Sequence, residues 1–335
     1  MKRLSLKFIA LFLWTGIALN ACDGAGDQPT RRTQFIMGTL VEITVSHSDP
    51  ELIQTVTTQA FDEMARIEQL MSTYIPDSEI SRINRAAGKE AIAVSPEVEE
   101  VLREGIYWSE QSGGAFDITV EPLVQLWDFD GEKEIIPGES TIRKTATLVN
   151  YKNIEIKDHT VRLKRRGMAI NVGGLAKGYA VDRAISILRS RVSNGIVNAG
   201  GDLFAFGQKS KQNSWTIGLQ HPRKPQDLLA AFAVKNQAVA TSGDYQRYFI
   251  KDGIRYHHIF DPQTGRPARL MISATIITTE VMDADALATA VFVMGPDKAI
   301  EWVDSMENVE AMLVLVDESI RYSKHFRDQP QFSLK

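Results

Sequence analysis

The chain has 335 residues, a single cysteine and a formal net charge of −4. One cysteine excludes an intramolecular disulfide and a cysteine-rich zinc site. The acidic balance argues against a nucleic-acid partner, which requires a basic face. The length suffices for one large domain or two lobes.

The N-terminus is typical of an exported bacterial lipoprotein. Three basic residues precede an apolar run, Phe8 to Leu19, that is too short to span a bilayer comfortably. The run ends in Leu19-Asn20-Ala21-Cys22, which resembles a lipoprotein cleavage box. We therefore predict a signal peptide over residues 1–21, acylation of Cys22 and a tether over residues 22–32. The alternative is ordinary cleavage near Ala21, which leaves Cys22 free.

Lipidation would place the protein at a membrane. Several acyl chains on Cys22 anchor a protein stably, whereas a single chain does not. Asp23 follows the cysteine directly, and in similar Gram-negative lipoproteins this implies retention at the inner membrane. We therefore expect the chain on the periplasmic face of the inner membrane.

The body, residues 33–335, predicts many short strands and a few helices. A strand is expected over Phe35 to Val45 and another over Met168 to Val172. Helices are expected from Pro50, from Pro96, over Ala176 to Leu188, over Asp283 to Met294 and over Pro296 to Met306. Hairpins are expected around Asp158-His159, around Asp252-Gly253 and from Val309 to His325. The pattern predicts an α+β fold with mainly antiparallel sheets and packed helices. No linker separates two lobes cleanly.

Asp285 and Thr289 lie four residues apart on a predicted helix and therefore face the same way. A carboxylate and a hydroxyl suit Mg²⁺, which takes oxygen ligands. Such a site needs a further protein oxygen, for example a backbone carbonyl from a glycine loop. The alternative is that Asp283 caps this helix and Asp285 complements its dipole.

Gly173-Gly174 forms a predicted turn between a strand and a helix, and Lys177 lies in the first turn of that helix. Glycines, a helix N-terminus and a lysine together favour phosphate. The spacing matches neither a Walker loop nor a dinucleotide fingerprint, so a plain strand-to-helix turn stays open. Asn198-Ala199-Gly200-Gly201-Asp202 repeats the strand and glycine pair.

His257 and His258 are adjacent on a predicted strand and point to opposite faces, so only one can serve a given site. We choose His258, between the predicted turn Ala240 to Tyr245 and a second turn at Asp261-Pro262. It could act in acid–base catalysis or hold a phosphate; the alternative is a histidine bonded to a turn carboxylate. A Ser242–His258–Asp261 triad is disfavoured because no Gly-x-Ser-x-Gly elbow is present.

Three short polar and aromatic clusters lie at element ends nearer the N-terminus. They are Met37-Gly38-Thr39, Ser72-Thr73-Tyr74 and Gly114-Ala115-Phe116-Asp117. Tyr74 and Phe116 could line a pocket for a flat ring, although isolated aromatic residues are more often core or rim.

Taken in order, these segments resemble the FAD:protein FMN transferase family, the ApbE-type flavin transferases. The resemblance covers nearly all of the chain after the leader. The matching segments are Met37-Gly38-Thr39; Ser72-Thr73-Tyr74 with Asp77-Ser78 and Ile83-Asn84; Gly114-Ala115-Phe116-Asp117 with Pro122-Leu123 and Trp127; Gly173 through Asp182; Gly200-Gly201-Asp202; Thr241 to Tyr245; His258 to Gly265; and Ala284 to Thr289.

The resemblance implies a two-lobed, T-fold-related architecture and transfer of FMN from FAD to a threonine or serine of an acceptor protein. A phosphoester bond would form and AMP would leave, with Mg²⁺ neutralising charge. The acceptors would be redox-pump subunits or other extracytoplasmic flavoproteins. Rival interpretations are a Mg²⁺-dependent FAD pyrophosphatase and a non-catalytic flavin-binding lipoprotein.

The resemblance also implies roles for individual residues. Asp285 and Thr289 would coordinate Mg²⁺ with the carbonyl of Gly174, and His258 and Asp285 would be catalytic. The residues implied for FAD binding are Met37, Tyr74, Ala115, Phe116, Asp117, Asn171, Lys177 and Ile259.

Three positions depart from the family pattern. Asn171 stands where many members carry aspartate, which removes a charge from a possible role in ribose or adenine recognition. Gly174 stands where some members place threonine, and Ala288 where some place a further aspartate. The last two changes lower the number of side-chain oxygens and the negative charge at the expected metal site.

Overall fold

The structure is a computed structural model that describes residues 29–127, 129, 134–209 and 213–335. The predicted signal peptide, Cys22 and residues 22–28 of the tether lie outside these residues. Strand β1 begins at Pro29, which pairs with Ser46. The last four residues assigned to the tether, 29–32, therefore belong to the folded body.

Eight α-helices are present in the described residues. They are α1 (Pro50–Met71), α2 (Glu79–Arg85), α3 (Pro96–Gln111), α4 (Glu121–Trp127), α5 (Glu139–Ala146), α6 (Ala176–Arg189), α7 (Val281–Met294) and α8 (Pro296–Val303). None of them has both the length and the apolar character that crossing a bilayer requires.

Eighteen strands accompany these helices within the same residues. They are β1 (Pro29–Ile36), β2 (Thr39–Ser46), β3 (Ile92–Ala93), β4 (Ile154–Lys157), β5 (Thr160–Leu163), β6 (Gly195–Ala199), β7 (Asp202–Phe206), β8 (Trp215–His221), β9 (Lys224–Val234), β10 (Gln237–Gly243), β11 (Tyr248–Lys251), β12 (Ile254–His257), β13 (Phe260–Asp261), β14 (Arg266–Pro267), β15 (Met271–Thr278), β16 (Glu310–Leu315), β17 (Ile320–Tyr322) and β18 (Ser333–Leu334).

The central sheet has eight strands in the order β1-β2-β6-β7-β10-β15-β16-β17. Every neighbouring pair in it is antiparallel. Two three-stranded sheets, β18-β9-β8 and β3-β5-β4, and two hairpins, β11-β12 and β13-β14, complete the described sheets. The predicted α+β class with mainly antiparallel sheets is confirmed.

The core is layered on both faces of the central sheet. Helices α1, α6 and α7 pack together on one face, and apolar residues of β2, β6, β10 and β15 contribute to the same cluster. On the other face, β8 and β9 pack against residues of β7, β10, β15 and β16. Burial of these apolar surfaces is the main force that holds the layers together. A third cluster joins Trp127 of α4 to Phe249 and Tyr256 of the β11-β12 hairpin.

Local sequence signals explain where the two longest N-terminal helices start. Asp49 precedes Pro50 and accepts hydrogen bonds from the backbone N–H groups of Glu51 and Leu52. Ser95 precedes Pro96 and accepts one from Val98 N–H. A side-chain acceptor at the cap and a proline in the first turn are the expected start signals, and both predicted starts are confirmed.

Three predicted strands are wrong in detail. The segment 35–45 is a hairpin, because Met37 and Gly38 have φ of 54° and 71° and reverse the chain between β1 and β2. The strand predicted to contain both His257 and His258 ends at His257, so that His258 lies beyond β12. Within the described part of the chain, Met168 to Val172 pairs with no strand; instead the Asn84 side-chain oxygen accepts from Ile170 N–H (2.6 Å) and its amide nitrogen donates to Ile170 C=O (2.9 Å).

The predicted turn at 240–245 is also wrong in its first half, since Ala240 to Gly243 form the end of β10 and pair with β15. Antiparallel pairing brings that strand end to the same edge of the sheet as the β1-β2 and β6-β7 turns. Val41 pairs with Ala199 and Val239 with Leu203. Loops that meet at one edge of a rigid sheet are a common place for function, and the candidate site lies at this edge.

Candidate functional site

Lys177, Asp202 and Asp285 form a buried charge cluster. The ammonium of Lys177 donates to Asp202 and lies 3.4 Å from Oδ2 of Asp285. Both carboxylates are nearly inaccessible, at 3% and 5% relative exposure. Two carboxylates face one ammonium, so a cation that enters here would be attracted by the unbalanced negative charge.

The pKa values of Asp285 and Lys177 reflect their burial and their mutual contacts. Burial raises the pKa of Asp285 to about 7, and the nearby Asp202 carboxylate raises it further while Lys177 opposes the shift. Burial acts to lower the pKa of Lys177, but Asp202 and Asp285 outweigh it and raise that pKa. Lys177 therefore stays charged. The Asp285 carboxyl group takes up or releases its proton near neutral pH, and it can bind a cation when it is deprotonated.

Thr289, Ser242 and Gly174 meet next to Asp285. The hydroxyl oxygens of Thr289 and Ser242 are 3.2 Å apart. A Cβ built on Gly174 would come within 3.4 Å of the Thr289 hydroxyl and 3.1 Å of the Phe116 ring. Because Gly174 has no side chain, its backbone lies close to the side-chain oxygens of Asp285 and Thr289, which are one turn apart on α7.

These donors fit Mg²⁺. Among the described residues, no three His, Cys, Asp or Glu side chains are grouped for a metal. The oxygens present are instead one carboxylate, two hydroxyls and the backbone at Gly174, a hard donor set that matches a magnesium ion that keeps several waters. Gly174 and Ala288, the departures noted above, add no side-chain oxygen here, whereas Asp202 supplies a second carboxylate that pairs with Lys177.

The alternative in which Asp283 caps α7 is wrong. Asp182 of α6, rather than Asp283, caps α7 by accepting from Val281 N–H (3.0 Å) and Met282 N–H (2.9 Å). Asp283 accepts from the indole N–H of Trp108 at 2.8 Å. Asp285 accepts from the backbone N–H of Gly178, so its carboxylate is directed across to α6.

His258 lies past the end of β12, where its backbone N–H donates to Arg247 C=O at 3.2 Å. Its Nδ1 is 3.4 Å from the same carbonyl. Burial lowers the pKa of His258 to about 4, and the charges of His257, Arg247 and Lys177 contribute. A neutral imidazole has one donor and one acceptor nitrogen. With Nδ1 toward a carbonyl, Nε2 is the acceptor.

His257 has a structural role. Its Nδ1 accepts from Ile259 N–H at 3.3 Å, so its Nε2 donates to Ala268 C=O at 2.7 Å. The choice of His258 over His257 for the site agrees with this geometry. The alternative of a His258 bonded to a turn carboxylate does not, because Asp261 accepts from Gln263 N–H and from the Thr264 hydroxyl of its own turn.

Ser242, His258 and Asp261 do not form a hydrolase triad. The Ser242 hydroxyl bonds Thr289, and the Asp261 carboxylate is used within its own turn. Within the described residues, the chain of hydrogen bonds from serine through histidine to aspartate is missing.

Several residues expected to bind FAD hold the loops that border the cluster. Asp117 accepts from the N–H and hydroxyl of Thr119 and from Tyr151 N–H. Burial raises the pKa of Asp117, and these hydrogen bonds oppose the shift. Asn171 accepts from Gly173 N–H and donates to Glu121 at 2.6 Å. Both side chains fix the backbone on either side of Phe116 and Gly174.

The remaining expected residues range from buried to exposed. Met37 is half-buried in the β1-β2 turn, and Ala115 is half-buried beside Phe116. Tyr74 is 66% exposed, and its hydroxyl accepts from Arg247 at 3.0 Å. Ile259 is buried next to His258. An exposed ring such as that of Tyr74 can stack on a flat ligand.

Sequence reasoning did not choose Asp202, Glu121 or Asp182 as site residues. Asp202 follows a glycine pair at the end of a strand, the same signal that identified Lys177. Glu121 is buried, which raises its pKa, and it is bonded by Asn171. Their partners are 25 to 100 residues distant in sequence, so only the fold identifies them.

A separate open cavity of about 600 Å³ lies between α8 and β17. Its lining includes Asp297, Glu301 and Arg321. It contains none of the residues of the charge cluster, so it is distinct from the candidate site.

Comparison with known proteins agrees with this geometry. The family model "ApbE family" matches residues 37–313. The FAD:protein FMN transferase of Treponema pallidum is 29% identical over 331 residues, covering 93% of this chain and 91% of the relative. That of Vibrio cholerae is 31% identical over 282 residues, covering 82% and 83%.

A solved structure supports the same assignment. The crystal structure of the ApbE protein of Thermotoga maritima superimposes with a TM-score of 0.85 at 37% identity. It covers 91% of this chain and 100% of its own. The chain belongs to the ApbE family.

Proposed function

We propose that this chain transfers FMN from FAD to a threonine or serine hydroxyl of an acceptor protein. The observation that carries the proposal is the meeting of Lys177, Asp285, Thr289 and His258 at one edge of the sheet in a chain of the ApbE family. Relatives that cover most of this chain are named FAD:protein FMN transferase.

The chemistry is a phosphoryl transfer. The acceptor oxygen forms a bond to the FMN phosphorus, the bond from that phosphorus to the bridging oxygen breaks, and AMP leaves with the bridging oxygen. Such a reaction depends mainly on positioning and on charge stabilisation. Lys177, held charged between two carboxylates, is suited to bind a phosphate oxygen of FAD.

His258 is suited to take the acceptor hydroxyl proton. It is neutral at pH 7 because its pKa is about 4, and its Nε2 is the acceptor nitrogen. Asp285, Thr289 and the backbone at Gly174 would hold Mg²⁺, which would supply neutralisation of the pyrophosphate charge. Asp285 lies 3.4 Å from the Lys177 ammonium, so a phosphate oxygen that binds Lys177 shares the ammonium with this carboxylate.

We further propose that Cys22 carries the lipid anchor at the periplasmic face of the inner membrane, and that the acceptors are extracytoplasmic flavoproteins of the redox-pump type. The leader sequence supports the anchor. Labelling with a palmitate analogue tests it, since Cys22→Ser should abolish incorporation.

The transferase proposal is tested with the full chain in detergent, incubated with FAD and Mg²⁺ with and without a set of threonine-containing acceptor peptides. AMP, free FMN and covalent flavin are followed by mass. Acceptor-dependent AMP and an added FMN mass on a peptide support the transferase. AMP with free FMN alone favours an FAD pyrophosphatase, and FAD binding without AMP favours a flavin-binding lipoprotein.

A further inference from the structure

We propose that the outer face of the β11-β12 hairpin is the docking surface for an acidic, extended segment of the acceptor protein. This inference rests on the proposed function, which requires a second polypeptide at the site. The hairpin leads directly into His258, and β11 follows Arg247, whose carbonyl binds the His258 N–H. A segment that lies on the hairpin therefore reaches the site.

The hairpin has one anchored face and one open face. Phe249 and Tyr256 are paired across the strands and are buried in the cluster around Trp127. Because side chains alternate along a strand, the opposite face carries Tyr248, Ile250, Arg255 and His257, of which His257 is buried. Tyr248 is 43% and Ile250 52% exposed. Among the described residues neither strand of this hairpin pairs with a third strand, and two exposed apolar side chains on such a sheet form a template for an added strand.

Charge identifies the class of partner. The hairpin with its preceding residue, 247–257, contains Arg247, Lys251 and Arg255 but only one acidic residue, Asp252, although the chain as a whole has a net charge of −4. Arg255 lies over the Tyr248 ring, 3.8 Å from its centroid. An acidic partner is attracted to this part of an otherwise acidic protein, which repels it elsewhere.

The contacts of Arg255 within the chain do not fully neutralise its positive charge. Its nearest carboxylate, Asp244, is 3.8 Å from Nε and is already bound by Arg223 through two hydrogen bonds of 2.7 and 2.6 Å. Part of the Arg255 guanidinium is buried, since one terminal nitrogen is inaccessible and has no hydrogen-bond partner among the described residues. Two guanidinium groups around one carboxylate leave a net positive charge, and the Arg255 side chain is 23% exposed.

The test uses two labelled 16-residue peptides with the same apolar residues and one central threonine, of which one carries four Asp and the other four Lys. Binding to the full chain is measured by fluorescence anisotropy. We expect the acidic peptide to bind at least about tenfold more tightly than the basic one, a difference that salt reduces. Equal binding of the two peptides overturns the proposal.

Ile250→Glu should weaken binding of the acidic peptide about tenfold, and Arg255→Gln should weaken it several-fold. Leu228→Glu is the matched control, since Leu228 is 48% exposed on β9 of another sheet, and it should bind like wild type. Neither Ile250→Glu nor the control should change FAD binding. Wild-type binding by Ile250→Glu overturns the proposal.

A membrane or a second copy of the chain on this face would give different results. Sedimentation with phosphatidylglycerol-containing vesicles, and the oligomeric state in solution, are measured on the same variants. If Ile250→Glu abolishes vesicle binding or dissociates a dimer while acidic-peptide binding persists, the face serves a membrane or a second copy and the proposal is wrong. Peptide binding and AMP release are separate readouts, so a failure of the proposed transferase activity is distinguished from a failure of the docking surface.

Discussion

Gly178 on α6 lies against the backbone carbonyl of Val281 at the start of α7. A Cβ on Gly178 would come within 2.4 Å of that oxygen and within 2.6 Å of the Met282 backbone. The close approach places Lys177 of one helix 3.4 Å from Asp285 of the other. It also brings Asp182, one turn further along α6, to the N-terminus of α7. The spacing of two helices thus sets the geometry of the charge cluster.

Gly178→Ala should therefore separate α6 from α7. We expect a loss of about 1–3 kcal/mol in the free energy of unfolding, typical of overpacking, and a larger fractional loss of AMP release than of folded protein. Gly138→Ala is the control, because a Cβ there meets nothing within 4 Å. Chemical denaturation and AMP release are measured for both. Unchanged stability in Gly178→Ala would show that the helices can move apart without cost.

Asp285→Asn should remove the one carboxylate of the expected metal site. We expect Mg²⁺ affinity to fall at least about 100-fold, since even outer-shell changes at metal sites cost 10- to 100-fold, and AMP release to be lost. Calorimetric titration with Mg²⁺ measures the first effect. Because the Asp285 pKa is about 7 without metal, wild-type affinity should increase as pH rises through 7.

The control for that experiment is Asp297→Asn on α8, which lines the separate cavity. It should bind Mg²⁺ and release AMP like wild type. Full activity in Asp285→Asn would return Asp285 to a purely structural role and remove the metal assignment.

The sequence predicts those parts of the fold that depend on neighbouring residues. The starts of α1 and α3 follow from Asp49-Pro50 and Ser95-Pro96, and the shared face of Asp285 and Thr289 follows from helix periodicity. The turn at Met37-Gly38 was missed because Gly38 is its only turn signal and the other turn residue, Met37, rarely adopts a positive φ.

What the sequence does not predict depends on distant partners. Residues 168–172 have the composition of a strand, but both backbone groups of Ile170 bond the side chain of Asn84, 86 residues away, and Asn171 N–H donates to Ile118 C=O. The capping of α7 by Asp182 likewise reverses the role expected for Asp283, because the acceptor comes from another helix. No local pattern contains either contact.

Glu104→Gln should stabilise the protein above neutral pH. Burial raises the pKa of Glu104 to about 7, and the hydrogen-bonded Asp283 carboxylate contributes. Between about pH 4.5 and 7 the folded state then holds a proton that the unfolded state has released, so stability falls as pH rises through this window. Since Glu104 is only half-buried, we expect a gain of about 1 kcal/mol at pH 8.

Thermal unfolding of wild type and Glu104→Gln at pH 5 and pH 8 measures this difference. The gain should be absent at pH 5, where Glu104 is protonated in the folded protein. Glu301→Gln on α8 is the control and should change stability equally little at both pH values. Equal gains at both pH values for Glu104→Gln would point to packing instead of ionisation.

His258→Gln should reduce the transfer rate about 10²- to 10⁴-fold if the imidazole takes the acceptor proton, while FAD binding changes little. The pKa of His258 is lowered to about 4 from 6.5, so the wild-type imidazole is neutral through pH 6. At saturating Mg²⁺, the rate should therefore lack a decrease near pH 6.5 and show one near pH 4. The free energy of unfolding depends on pH in the same direction. Because the pKa of His258 is lower in the folded than in the unfolded protein, its stabilising contribution is complete above pH 6.5 and is lost as pH falls toward 4. His325→Gln, at a surface histidine paired with Asp328, should leave the pH profile unchanged. A His258→Gln variant with the wild-type rate would exclude His258 from proton transfer.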